Sequence, residues 1–183
     1  WIKSKGLDNA RRLAQNISVE SGWEQAVEVA LGLNLESVCV EGMDAVDNAL
    51  SDLNQGALTV FDTKMSAVDA ETGSAGIALL SKVTSGYSMA SFLTGIYAAD
   101  SLEQALALRS QIKANESIIT RDGIWLGRDW LRVARGVYEK AGVLQREHEL
   151  KALEADIEET AARVEELQEN VQQSRARQQE LER

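Results

Sequence analysis

A mixed α/β globule followed by one long coiled-coil helix is the architecture predicted for this 183-residue chain. Three observations predict it. Short apolar runs alternate with amphipathic stretches over residues 20–61 and again over 93–126, the pattern of mixed sheets covered by helices. From Val143 onward glycine and aromatic residues disappear, and apolar residues recur at heptad spacing. Proline is absent, where average usage of about 5 % would supply roughly nine, and its absence suits uninterrupted helices.

The elements follow in order. Ser21-Gly22-Trp23-Glu24 fits a capping box, a Ser with a Glu three residues on. Ala26, Val27, Ala30 and Leu31 then form a helical stripe that Gly32 is placed to stop. Leu35–Val40 reads as a short apolar strand. Met43–Leu53 reads as a second helix with Ala45, Val46, Ala49, Leu50 and Leu53 on one side, closed by Gly56. Ala57–Phe61 is a further strand, and Asp62–Ser88, rich in Ser, Thr and Gly, gives no clear element. Leu93–Ala98 looks like a strand. Ser101-Leu102-Glu103-Gln104 is another capping box, opening a helix through Ile112. Ser117–Thr120 and Ile124–Leu126 are short strands around the hairpin signal Asp122-Gly123. The repeated alternation suggests two small subdomains, about 1–75 and 76–138, within a globule of residues 1–138.

Residues 139–183 are the helical remainder. With Val143 at heptad position a, the a sites are Val143, Leu150, Ile157, Val164, Val171 and Gln178. The d sites are Arg146, Leu153, Thr160, Leu167, Ser174 and Leu181. The apolar seam is therefore Val143, Leu150, Leu153, Ile157, Val164, Leu167, Val171 and Leu181, which needs a partner helix. The competing reading is a single solvated helix rich in Glu and Gln. At about 1.5 Å per residue the helix would extend roughly 60 Å.

Composition narrows the function. No run of eighteen apolar residues exists, so no membrane segment is expected. The chain starts Trp1-Ile2-Lys3 without a methionine, as a piece of a longer protein would. The single cysteine, Cys39, excludes an internal disulfide and reads as a buried small hydrophobe in a reducing cytoplasm. No phosphate loop and no dinucleotide fingerprint occur. Gly73-Ser74-Ala75-Gly76 reads as a flexible turn. The only histidine, His148, falls at heptad position f, which leaves no catalytic dyad and no histidine-based metal site. Glu20, Glu24 and Glu28, at i, i+4 and i+8, read as a solvated helix face. No catalytic residue, cofactor or metal ligand is assigned, and this segment is expected not to be an enzyme.

Net charge is −10, unevenly spread. Glu20–Glu71 holds eleven acids against Lys64 alone, whereas Arg109–Lys140 holds seven bases and four acids. Arg128, Arg132, Arg135 and Lys140, with Trp125 and Trp130 among or beside them, form a basic, tryptophan-bearing stretch. It is either a solubilising surface with aromatic packing or a non-specific contact for a nucleic-acid backbone at the junction with the helix.

Several segments together resemble the hinge domain of bacterial structural maintenance of chromosomes (SMC) proteins. Val19-Glu20-Ser21-Gly22-Trp23-Glu24-Gln25-Ala26-Val27-Glu28-Val29-Ala30-Leu31-Gly32, running into Leu35–Val40, is similar to the opening of those hinges. Ala98-Ala99-Asp100-Ser101-Leu102-Glu103-Gln104-Ala105 resembles their later strand-then-helix element, and Ile118-Ile119-Thr120-Arg121-Asp122-Gly123 their strand and turn. Leu144–Leu153 resembles the start of the returning coiled-coil arm. One departure is local: Arg128-Asp129-Trp130 stands where the family commonly has paired glycines. The resemblance implies a homodimerising hinge of a chromosome condensation and segregation ATPase, cytoplasmic and nucleoid-associated, whose ATPase head lies elsewhere. Gly123, Trp125 and Gly127 would then form the dimer interface, and Arg128, Arg132, Arg135 and Lys140 would contact DNA. The alternative is a small-ligand- or nucleotide-binding α/β domain with a coiled-coil oligomerisation tail.

Overall fold

The computed structural model describes residues 10–43, 46, 57–64, 76–133 and 142–181. The chain divides into two compact units, Trp1–Gln145 and Arg146–Arg183.

The first unit is built on one motif used twice. A 3₁₀ turn, Leu13–Asn16, leads into β1 (Ile17–Val19), helix α1 (Glu24–Leu31), a second 3₁₀ turn (Gly32–Glu36) and β2 (Val38–Val40), which pairs in parallel with β3 (Val60–Asp62). After β4 (Ile77–Ala78) the sequence of events recurs. A 3₁₀ turn (Leu79–Lys82) leads into β5 (Val83–Ser85), helix α2 (Ala90–Leu93) and β6 (Ile96–Ala99). The last pairs in parallel with β7 (Ser117–Thr120) across helix α3 (Leu102–Leu108). β8 (Trp125–Leu126) and β9 (Leu131–Arg132) complete a sheet of order β4-β6-β7-β8-β9. The residue before each initial 3₁₀ turn pairs antiparallel with the strand that follows the helix: Arg12 with Val38, and Ala78 with Tyr97. The two halves are tied by an antiparallel ribbon of β1 and β5, with Ser18 opposite Thr84.

Burial explains why these short elements hold. Leu13 and Leu79, each the first residue of its 3₁₀ turn, are both fully buried. They join Ile17, Trp23, Ala26, Val27, Leu31, Leu93, Ile96, Ile119 and Leu144 in a core drawn from both halves. A smaller core lies between α3 and the larger sheet, where Ala105 and Ile112 meet Tyr97, Ile118 and Leu126. Within it the Tyr97 hydroxyl donates to Glu116 Oε1 at 3.0 Å, and Glu116 Oε2 accepts the Lys113 N–H at 2.7 Å, so the buried carboxylate is satisfied.

Several expectations change. Helix α1 begins at Glu24, not after Ser21: its N-cap residue is Trp23, which makes no side-chain cap bond, and the Glu24 carboxylate accepts the Gly22 N–H at 2.7 Å. Leu35 belongs to the 3₁₀ turn, so β2 is three residues long. The helix expected over Met43–Leu53 lies outside the described residues apart from Met43 and buried Val46. Helix α3 ends at Leu108, short of Ile112, although its N-cap is as expected: Ser101 Oγ accepts the Gln104 N–H at 3.2 Å. Cys39 is half-buried, packed against the main core with its thiol near Asn16 Nδ2 at 3.7 Å. Burial pushes this thiol above its ordinary range, against smaller lowering effects of Asn16 and Arg12, which makes it a poor nucleophile.

The second unit is helical. α4 runs without interruption from Val143 to Leu181, its first turn lying in the globular unit. Leu150, Leu153, Ile157, Val164, Leu167 and Val171 are all between 46 % and 66 % exposed, an apolar stripe facing outward. Val143 differs from these seam positions, being half-buried against the main core beside fully packed Leu144. The side chain of Leu181 lies outside the described residues.

Candidate functional site

The basic, tryptophan-bearing stretch is a hairpin at the edge of the larger sheet. β8 and β9 pair antiparallel, Trp125 opposite Arg132 and Leu126 opposite Leu131. Gly127-Arg128-Asp129-Trp130 connects them, closed by the Gly127 N–H donating to the Trp130 carbonyl at 3.0 Å. After Gly127, strand is formed among the described residues only by Leu131–Arg132, because a turn occupies the residues before it. Among the described residues nothing pairs with the outer side of β9.

Aromatic packing sets the shape of the hairpin. Trp125 and Trp130 meet edge to face, ring centres 5.8 Å apart. The Arg132 guanidinium lies 5.4 Å from the Trp125 ring centre and 5.8 Å from that of Trp130. Such cation–π contacts contribute about 0.5–1 kcal/mol each at exposed sites. The Trp125 indole is further held by Nε1 donating to Ser117 Oγ at 2.9 Å. Trp130, within this cluster, and Leu131 and Val133 beside it are 42 %, 52 % and 46 % exposed, an apolar lip on an open strand edge.

The two glycines are filled from within the chain. A Cβ at Gly127 would collide with the Trp130 indole. Gly123 has φ +71° in the turn closed by its N–H donating to the Thr120 carbonyl at 2.9 Å, and a Cβ there would sit 3.0 Å from Val29 Cγ2 of α1. Gly123 and Gly127 are both buried. The structure therefore gathers Trp125, Gly127 and Arg132 at one hairpin, with Arg128 exposed at its tip, and sets Gly123 under α1. Arg135 and Lys140 lie outside the described residues. Arg121 is engaged elsewhere, over the Trp23 ring at 4.6 Å and paired with Asp100 at 2.7 Å. Leu131 and Val133 were not singled out from sequence; the alternation Trp130-Leu131-Arg132-Val133 is the signal that marks them.

The three glutamates expected to form a solvated face do not. Glu20 pairs with Lys82 at 2.9 Å, Glu24 accepts the Gly22 N–H, and Glu28 accepts two backbone N–H groups at the start of α4. Among the described residues no cluster of three His, Cys, Asp or Glu side chains could hold a metal ion, and no helix is long and apolar enough to cross a membrane.

Comparison with known proteins follows the fold. Residues 8–109 match the family described as SMC proteins Flexible Hinge Domain. The chromosome partition protein Smc of Xanthomonas oryzae pv. oryzae is 37 % identical over 158 residues, covering 86 % of this chain and 13 % of that protein. The Smc of Coxiella burnetii is likewise 37 % identical over 158 residues. The chain thus spans about 13 % of the length of these curated relatives. Among solved structures, an asymmetric dimer of the Geobacillus stearothermophilus SMC hinge domain aligns with TM-score 0.62 and 22 % identity, over 87 % of this chain and 72 % of that one. A Pyrococcus furiosus Smc hinge domain with an extended coiled coil aligns with TM-score 0.58 and 18 % identity, over 87 % of this chain and 62 % of that one.

Proposed function

Because the chain belongs to the SMC flexible hinge family, we propose that it is the homodimerisation hinge of a chromosome condensation and segregation ATPase, itself without catalytic residues. The observation that carries this reading is the open edge of β9 with its apolar lip of Trp130, Leu131 and Val133. An unpaired strand edge offers backbone donors and acceptors to a second chain, and exposed apolar side chains add burial to that pairing. Trp125, Gly127 and Arg132 shape the hairpin that presents the edge, and Gly123 fixes the turn before it. The stripe on α4 takes a partner helix, as a coiled-coil arm would.

Substituting both glycines is a poor test, since each is packed by its own chain. The cleaner variant is Leu131→Asp with Val133→Asp, made in a background of Leu153→Glu and Ile157→Glu that disables the seam. It is expected to sediment as a folded monomer where the seam background alone sediments as a dimer. A quadruple variant that still sediments as a dimer places the interface elsewhere.

We further propose weak DNA contact without sequence preference through Arg128, Arg132, Arg135 and Lys140. The supporting observation is the excess of bases over Arg109–Lys140 in a chain of net charge −10. Four phosphate contacts would give a log–log salt slope of no more than about 3.6 on duplex DNA. Reversing all four charges is expected to abolish retention on DNA at low salt; an unchanged affinity rules the patch out.

A further inference from the structure

Helix α4 begins without a capping side chain of its own. The residue before it is Gly142, at φ +85°, which has no side chain to offer the first N–H groups. The cap comes from a distant helix. Glu28 of α1 accepts the Gly142 N–H through Oε2 at 2.8 Å and the Leu144 N–H through Oε1 at 2.7 Å. A carboxylate at this place satisfies otherwise unpaired donors and meets the positive end of the helix dipole.

The same face of α1 holds something else. Gln25 Nε2 donates to the Asp122 carbonyl at 2.9 Å, and Val29 and Gln25 close over Gly123. Residues 25, 28 and 29 are spaced i, i+3 and i+4, so one helix face grips both the β7–β8 turn and the root of the arm. The opposite face is immobilised: Ala26, Val27 and Leu31 are at most 1 % exposed in the main core. A well-packed eight-residue helix moves as a body, not residue by residue.

We propose that α1 is a strut that couples the β7–β8 turn to the first turn of the arm helix, with Glu28 as its detachable cap. The arm's first turn then has two states, capped and frayed, and displacement of the Asp122–Gly123 turn biases the choice between them. The coupling is reciprocal, so loosening the cap must also loosen the turn. It operates in a single chain and does not depend on what docks at β9.

Residue-resolved hydrogen exchange on the full 183-residue chain tests this. In Glu28→Ala the Gly142 and Leu144 amides are expected to exchange roughly 2- to 30-fold faster, the range a lost cap produces. The strut adds a second requirement. The Gly123 and Ile124 amides, which Glu28 does not bond, must also accelerate, and Gln25→Ala must accelerate Gly142 and Leu144 in return. Acceleration confined to Gly142 and Leu144 in Glu28→Ala reduces Glu28 to a local cap and overturns the proposal. Should Glu28→Ala raise exchange everywhere, including at Ile118 and Ile119, then Glu28→Gln decides. Its single acceptor oxygen keeps one of the two bonds, and smaller changes of the same sign at both ends support the strut. A change at one end alone overturns it.

Discussion

Trp23→Ala is expected to lower the stability of the chain by about 3–5 kcal/mol, the range for removing a buried large aromatic side chain. Trp23 is 2 % exposed and sits in the core shared by both halves. Lys82 and Arg121 lie 5.7 Å and 4.6 Å from its ring centre. These cations are themselves paired with Glu20 and Asp100. Exposed ion pairs contribute about 0–1 kcal/mol, so burial of the indole decides the magnitude. Trp23→Phe separates packing from polarity. The Trp23 Nε1 has no hydrogen-bond partner, so phenylalanine loses no bond and keeps most of the apolar contact. Its cost is expected to stay well below that of alanine, because the smaller ring leaves a much smaller cavity. Urea unfolding at one fixed protein concentration measures both, because self-association would otherwise shift the midpoint. Equal losses for the two variants would mean that the indole ring is not held by its packing.

Gly123→Val should cost about 2–5 kcal/mol, combining backbone strain with overpacking. A β-branched residue at φ +71° is strained before any contact is counted, and its Cβ would then press on Val29 and Gln25 of α1. Val29 cannot retreat freely, since α1 is locked by its buried face, and exposed Gln25 can turn aside only by giving up its bond to the Asp122 carbonyl. Gly127→Ala offers the contrast. There the obstacle is the far end of Trp130, which is 42 % exposed and free to swing outward. The loss should be limited to the aromatic pair with Trp125 and the Arg132 contact over the ring, about 1–2.5 kcal/mol. Thermal unfolding of the two variants ranks them; a Gly123→Val chain as stable as the parent would show that the turn is not pinned by α1.

Local patterns were legible where the chemistry is local. Ser117–Thr120 was bounded correctly because four consecutive buried residues sit between turn signals, and Ser101 was recognised because its cap needs only the following three residues. The long helix was visible in its heptads. Strands β1 and β5 were not, because three-residue segments mixing Val, Ile, Ser and Thr acquire meaning only when paired across the chain. The same holds for Glu28: its spacing from Glu20 and Glu24 suggested a solvated face, whereas its partners are the amides of Gly142 and Leu144. The edge hairpin was not legible because its second strand, Leu131–Arg132, is two residues long and is defined only by its pairing with β8.

The ribbon that joins β1 to β5 also sets the order of events when the chain first folds. Every bond within α4 closes over four residues, so that helix forms locally and early. β1 has no such neighbour. Ile17 finds its partner only once Ser85 exists, and until then Leu13 and Ile17 have no complete core to enter. Such non-local pairing is the slow kind, and a slip of one residue about Ser18 and Thr84 would turn Ile17 and Val19 to the wrong face. With no proline in the chain, isomerisation of prolyl bonds cannot supply a slow phase. The search of two three-residue strands for each other is therefore one of the non-local steps on which closing of the globule waits.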